Sequence, residues 1–148
     1  ALAHEIQRRD LTDMVRLCGA VPHELMADTL NNYTAFVLPT LRETFGMVYI
    51  EALFAGVPIL YSRDRGVDGF FDGQDVGLSC NPASVANIAE GLVDLLDNAG
   101  RMKQEIARLQ TDGGLERFRL KNVCRDYTER MIRLAAWDGT GSSGSAHI

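Results

Sequence analysis

The chain has 148 residues, of which 46% are hydrophobic and 24% charged, with a net charge of −5. This suits one soluble globular domain able to bury roughly two-thirds of its unfolded surface. The acidic balance, with no basic stripe interleaved with aromatics, argues against a nucleic-acid partner and against anionic membranes, and no apolar run is long enough to span a bilayer.

Taken in chain order, a polar helix is expected over about Ala1 to Arg9, then a short strand over about Met14 to Cys18 closed by Gly19 and Pro22. A helix follows from His23 to Asn32, with Leu25, Met26 and Leu30 on one side. "TAFVLPT" is an apolar β-favouring run that reads as a strand buried on both faces and ended by Pro39. Met47 to Ala55 reads as a helix, with Gly56 where a left-handed cap residue belongs. "VPILYS" is another buried strand, and "GLSCNP" a short one beyond a Gly/Asp-rich loop. Val85, Ile88, Ala89, Leu92, Val93 and Leu96 recur at helical spacing up to Gly100, and Arg101 to Trp137 reads as two helices broken at "DGG". Short buried strands alternating with helices predict an α/β fold around a parallel sheet.

Two domains of behaviour are expected: a folded unit over 1–137 and, over 138–148, a flexible tail or expression-vector remnant, because "GTGSSGSAHI" is Gly/Ser-rich without apolar period. Its Gly139, Gly141 and Gly144 match the spacing of a dinucleotide fingerprint. The match is rejected, since no strand precedes it and no helix follows. Cys18, Cys80 and Cys124 are odd in number and lack metal-type spacing, which predicts reduced thiols in a cytoplasmic protein, with Cys18 and Cys80 buried in strands. No signal-peptide pattern opens the sequence.

The informative stretch is "PTLRETFGMVYIEALFAGVPILYS", Pro39 to Ser62. In an open parallel sheet, ligands bind beyond the carboxyl ends of the strands, where loops lead into helix N-termini. Pro39 to Gly46 is such a loop. Gly46 allows close approach of the backbone, and the amides near Phe45, Gly46 and Met47 are unpaired donors suited to a phosphate. Glu43 and Glu51 conflict with that anion, because like charges about 4 Å apart repel by about 4 kcal/mol at an effective dielectric near 20. The conflict disappears if the carboxylates accept hydrogen bonds from hydroxyls while the amides hold the phosphate. A ligand with hydroxyls on both sides of a phosphate is a sugar nucleotide.

Those residues carry a resemblance to a known family. "LPTLRETFGMVYIEALFAGVPIL" resembles the C-terminal Rossmann-like half of family 4 retaining glycosyltransferases of the GT-B type (glycosyl transferases group 1). The family pattern is met by Pro39, Glu43, Phe45, Gly46, Glu51, Ala52, Gly56 and Pro58, with Thr40 at the usual Ser position. "VRLCGAVPHELM" is similar to the family's strand and loop near the nucleobase. "GLSCNPASVANIAEGLVDLL" is similar to the strand and helix that follow the donor site. The resemblance covers most of Asp13 to Leu96.

It implies a Rossmann-like parallel sheet with helices on both faces, truncated from the C-terminal half of a GT-B fold. It implies that Glu43, as the catalytic-site carboxylate, bonds donor-sugar hydroxyls and orients the ring. Backbone amides of Thr44, Phe45, Gly46 and Met47 would meet the distal phosphate and sugar, Glu51 the ribose hydroxyls, and the loop of Gly19, Val21 and Pro22 the base. The substrate would be a UDP- or GDP-sugar, with no cofactor and no metal, in keeping with the family's habit and with the lack of an Asp-x-Asp pair. The acceptor would be a glycan or a lipid-linked molecule, as in polysaccharide biosynthesis, held by an absent N-terminal domain. The full-length enzyme would be cytoplasmic and peripheral to the inner face of the membrane.

Two departures qualify the match. The family's Arg and Lys pair, which neutralises the diphosphate, and the first two strands of the half-domain lie outside this sequence. Arg42, Arg63 and Arg65 do not match that pair, and Arg63 and Arg65 read equally well as a solvated loop pair or as phosphate ligands. The isolated chain is therefore expected to be inactive, with open sheet edges through which a dimer could form. The family's Gly-Gly-x-x-Glu loop is replaced by "DRGVDGFFDG". Two other readings stand beside the transferase: a nucleotide-sugar 2-epimerase, for which no acidic and His cluster is visible, and a non-catalytic nucleotide-binding or interaction fragment. His23 reads as a helix-start residue.

Overall fold

The computed structural model describes residues 2–135. Three parallel strands, β1 (Phe36–Val37), β2 (Ile59–Ser62) and β3 (Gly77–Cys80), form one sheet in that order. Phe36 lies opposite Ile59, and Ile59 opposite Gly77. The helices are α1 (Leu2–Arg8), α2 (Met26–Asn31), α3 (Met47–Phe54), α4 (Val85–Thr111) and α5 (Leu120–Ala135), with single 3-10 turns at His23–Leu25 and Glu116–Phe118.

Alternation along β2 divides the interior in two. Ile59 packs with Tyr49, Ile50 and Leu53 of α3 and with Phe71 and Val76, whereas Leu60 packs with Cys80 and with Leu95 and Met102 of α4. One helix thus covers each face of the sheet. Each fully buried Leu or Ile contributes about 1.5–3 kcal/mol relative to exposure, so β2 is the anchor of the fold. Gly77 is required by the close approach of β3: a Cβ there would collide with the Ile59 carbonyl.

Several expectations hold. α3 covers the expected helix nearly residue for residue, Gly56 adopts φ +79°, and the chain breaks at Asp112-Gly113-Gly114. Others need correction. Met14–Cys18 forms no strand. Met14 is 82% exposed, Cys18 is exposed rather than buried, and no neighbouring strand offers this segment a ladder, without which β propensity has little to act on. β1 is only two residues long and half-buried, because it is an edge strand rather than a doubly covered one.

The helix expected to stop at Gly100 continues to Thr111. Leu95, Ala99, Met102, Ile106 and Leu109 extend one buried stripe through it, and a single Gly costs only about 1 kcal/mol in a helix. The glycine-rich stretch from Gly139 to Gly144, and Trp137, lie outside the described residues.

Candidate donor site at the carboxyl edge of the sheet

Because the strands are parallel, the segments after β1, β2 and β3 emerge at the same edge. These are the loop 38–46, the turn beginning at Arg63, and Asn81–Ser84. β1 contributes few ladder bonds, so side chains fix the first loop. The Tyr49 hydroxyl donates to the Leu38 carbonyl, Ser62 Oγ donates to the Thr40 carbonyl at 2.7 Å, and the Arg65 guanidinium donates to the Leu41 carbonyl. The apolar run "VYIEALF" explains the first of these: it buries the Tyr49 ring at 1% exposure beneath the loop. Burial pushes the Tyr49 phenol above its ordinary range, with the Thr40 hydroxyl opposing that rise.

Glu43 is half-buried, and its Oε1 accepts the Thr44 amide proton at 2.9 Å. The Thr44 amide is thereby engaged within the loop, unlike the ligand contact expected of it. The amides of Phe45, Gly46 and Met47 meet no acceptor among the described residues, and α3 starts without a side-chain cap. Two glycines make room for Glu43. A Cβ on Gly46, at φ +84°, would strike the Tyr49 ring, and one on Gly66, at φ +58°, would lie 2.8 Å from Glu43 Cγ and 2.9 Å from the Phe45 carbonyl. An open hollow of about 480 Å³ is lined by Leu41, Arg42, Glu43, Thr44 and Arg65.

Glu51 projects from α3 beside the buried Ile50, Ala52 and Leu53 yet keeps 36% of its side chain exposed, so it sits at the rim of the core. Its Oε1 lies 3.9 Å from His23 Nε2. His23 opens the 3-10 turn capped by Pro22 and continues the loop of Gly19 and Val21, so this contact joins the segment expected near the base to the carboxylate expected at the ribose. Glu51 does not line the hollow that holds Glu43.

Residues 1–110 match the family described as glycosyl transferases group 1. The chain belongs to that family. Among curated relatives, it is 30% identical over 98 residues to 2-deoxystreptamine N-acetyl-D-glucosaminyltransferase of Niallia circulans, covering 66% of this chain and 25% of that protein. It is 32% identical over 98 residues to a glycogen synthase of Mycobacterium tuberculosis, covering 66% and 23%. The chain spans about a quarter of the length of these relatives. Its fold matches that of sucrose-phosphate synthase from Thermosynechococcus elongatus, a GT-B neighbour, at a TM-score of 0.66 and 20% identity, over 90% of this chain and 34% of the other.

In this group 1 glycosyl transferase domain, the arrangement that sequence reasoning missed is tertiary. Ser62 and Tyr49 act as loop anchors, and Arg65 joins Glu43 in one hollow. Both Ser62 and Arg65 stand at the carboxyl end of the strand "VPILYS", a signal that the edge rule for parallel sheets could have used. No helix among the described residues is long and apolar enough to cross a membrane.

Proposed function

We propose that this chain is the donor-binding part of a family 4 retaining glycosyltransferase, and that it takes a UDP- or GDP-sugar. The observation that carries the reading is the loop from Pro39 to Gly46. Glu43 and three amides without acceptors stand there at the carboxyl edge of a parallel sheet, and Glu51 follows one helical turn along α3. Glu43 accepts hydrogen bonds from donor-sugar hydroxyls and orients the ring. The Phe45, Gly46 and Met47 amides, at the positive end of α3, hold the distal phosphate. Glu51 accepts from the ribose hydroxyls, and the Gly19, Val21 and Pro22 loop lies along the base, with His23 beside the ribose.

The bond between the anomeric carbon and the phosphate oxygen breaks through an oxocarbenium-like state. The departing diphosphate takes its electron pair and helps to remove the proton of the incoming acceptor hydroxyl, which attacks from the same face. This domain contributes by stabilising charge on the leaving group. A glycan or lipid-linked acceptor is assigned to a separate N-terminal domain, so the 148-residue chain alone turns over no donor.

Isothermal titration with UDP, GDP and their sugar conjugates tests the reading. Binding to one base series that is lost in Glu51→Ala supports it. A folded chain that binds neither base favours the non-catalytic interaction fragment.

A further inference from the structure

We infer that Arg63 and Arg65 form an oxyanion subsite beside the sugar position, so that the substrate sugar carries a carboxylate or phosphate; the inference rests on the donor-site reading of Glu43. Arg8, Arg9, Arg101, Arg108, Arg119, Arg125 and Arg133 each lie within ion-pair distance of a carboxylate, whereas Arg16, Arg42 and Arg117 do not among the described residues. Arg63 and Arg65 have no carboxylate within that distance among the described residues, although they are two residues apart on one turn. Both arginines line one hollow, and neither is ion-paired among the described residues. The arrangement is stabilised by an anion placed between them.

The surrounding geometry gives that anion a place. A second hollow of about 250 Å³ is lined by Arg63, Asp64, Arg65, Asn81 and Pro82. Arg65 is the wall it shares with the hollow of Glu43 and Thr44. Its bond to the Leu41 carbonyl fixes the guanidinium across the two loops while leaving its other N–H groups to donate. The lining itself holds two arginines against one carboxylate, Asp64; a second, Asp68, stands just outside it with its Oδ2 accepting the Asp64 amide proton at 2.6 Å. The positive end of the 27-residue α4 begins just beyond Pro82 and adds its partial positive charge. Neither hollow includes Phe45, Gly46 or Met47, the amides assigned to the donor phosphate. The oxyanion of this subsite is therefore a different one. A sugar whose hydroxyls meet Glu43 would present its own acidic substituent to Arg65 and Arg63.

Isothermal titration of the 148-residue chain and of Arg63→Gln separates the outcomes. Among the described residues the Arg63 side chain makes no hydrogen bond or ion pair, so its replacement spares the fold. The probes are UDP, UDP-glucose and UDP-glucuronate, with the GDP, GDP-mannose and GDP-mannuronate series run in parallel, and glucose 6-phosphate added to the nucleotide-loaded chain. The expected result is an acidic-sugar conjugate bound about tenfold tighter than its neutral counterpart, a preference lost in Arg63→Gln. Arg63-dependent binding of glucose 6-phosphate instead would also support the subsite and place the anion on the acceptor. Nucleotide binding with neither effect overturns the subsite and leaves the donor reading standing. Equal weakening of UDP and all its conjugates in Arg63→Gln overturns it too, by assigning the arginines to the diphosphate. A folded chain that binds no nucleotide overturns the donor reading and this inference together.

Discussion

Ser62, at 2% exposure the one buried polar residue among the described residues, donates from Oγ to the carbonyl of Thr40 at 2.7 Å. The bond crosses from the central strand to the loop that carries Glu43, and it satisfies a hydroxyl and a carbonyl that the edge strand leaves without ladder partners. Ser62→Ala should therefore lower stability by about 1–2 kcal/mol, because a carbonyl loses its donor in a dry site. Urea denaturation measures this. An unchanged midpoint would mean that the loop holds its place without the bond.

Gly46→Ala should do more damage than its single methyl suggests. The left-handed backbone at Gly46 disfavours an L side chain, and the added carbon would displace the Tyr49 ring that supports Leu38. A loss of about 1–3 kcal/mol is expected from the strained backbone alone, read as a lowered Tm. Tyr49→Phe, which keeps the ring and removes only the hydroxyl, should fall nearer about 1 kcal/mol.

Stability should decline on the alkaline side. Burial is the first cause raising the Tyr49 and Tyr61 phenols and the Cys80 thiol above their ordinary values of 10.0 and 9.0. A raised folded-state pKa means that the unfolded chain loses these protons first. The contribution is intact below about pH 9 and disappears as pH rises through the folded values. Denaturant midpoints at successive pH values, with phenolate absorbance followed in parallel, would show it. A flat profile through that range would refute it.

The three thiols should separate by rate. Cys18 and Cys124 are exposed, whereas Cys80 is buried and its thiolate is disfavoured by desolvation despite the nearby Arg63. A disulfide reagent should modify Cys18 and Cys124 quickly and Cys80 only on unfolding. Fast labelling of Cys80 would contradict the packing of α4 on the sheet.

His23→Ala should leave stability within about 0.5 kcal/mol, since His23 is 88% exposed and its contact with Glu51 is long. Nucleotide affinity should fall nonetheless if this contact orients the ribose ligand. Equal affinities for the two proteins would remove His23 from the site.

The parts of the fold legible in the sequence were those bounded by local chemistry. "VPILYS" and "MVYIEALF" stand between Gly and Pro signals and formed as read. Met14–Cys18 has similar composition but no strand beside it, and strand formation depends on that pairing. Gly100 reads as a stop when helix punctuation is judged from neighbouring residues alone. The stripe from Leu95 to Leu109 overrides it by burial on both sides of the glycine. The Glu43 and Glu51 spacing was visible because it lies within one βα unit. The approach of Arg65 to Glu43, of Ser62 to Thr40 and of His23 to Glu51 depends on parallel register and helix docking, which no run of neighbouring residues encodes.

The side-chain anchors of the Glu43 loop also imply an order of assembly. Leu38, Thr40 and Leu41 are held by residues 11, 22 and 24 positions downstream, so the loop cannot settle until α3, β2 and the turn beyond it have docked. A segment that forms last in this way opens first, ahead of the Ile59 and Leu60 cores. Amide exchange in Thr40 to Gly46 should then outpace that in β2. Occupancy by a nucleotide sugar would act as a late folding step, which slows this local opening while leaving the rest of the chain unaltered.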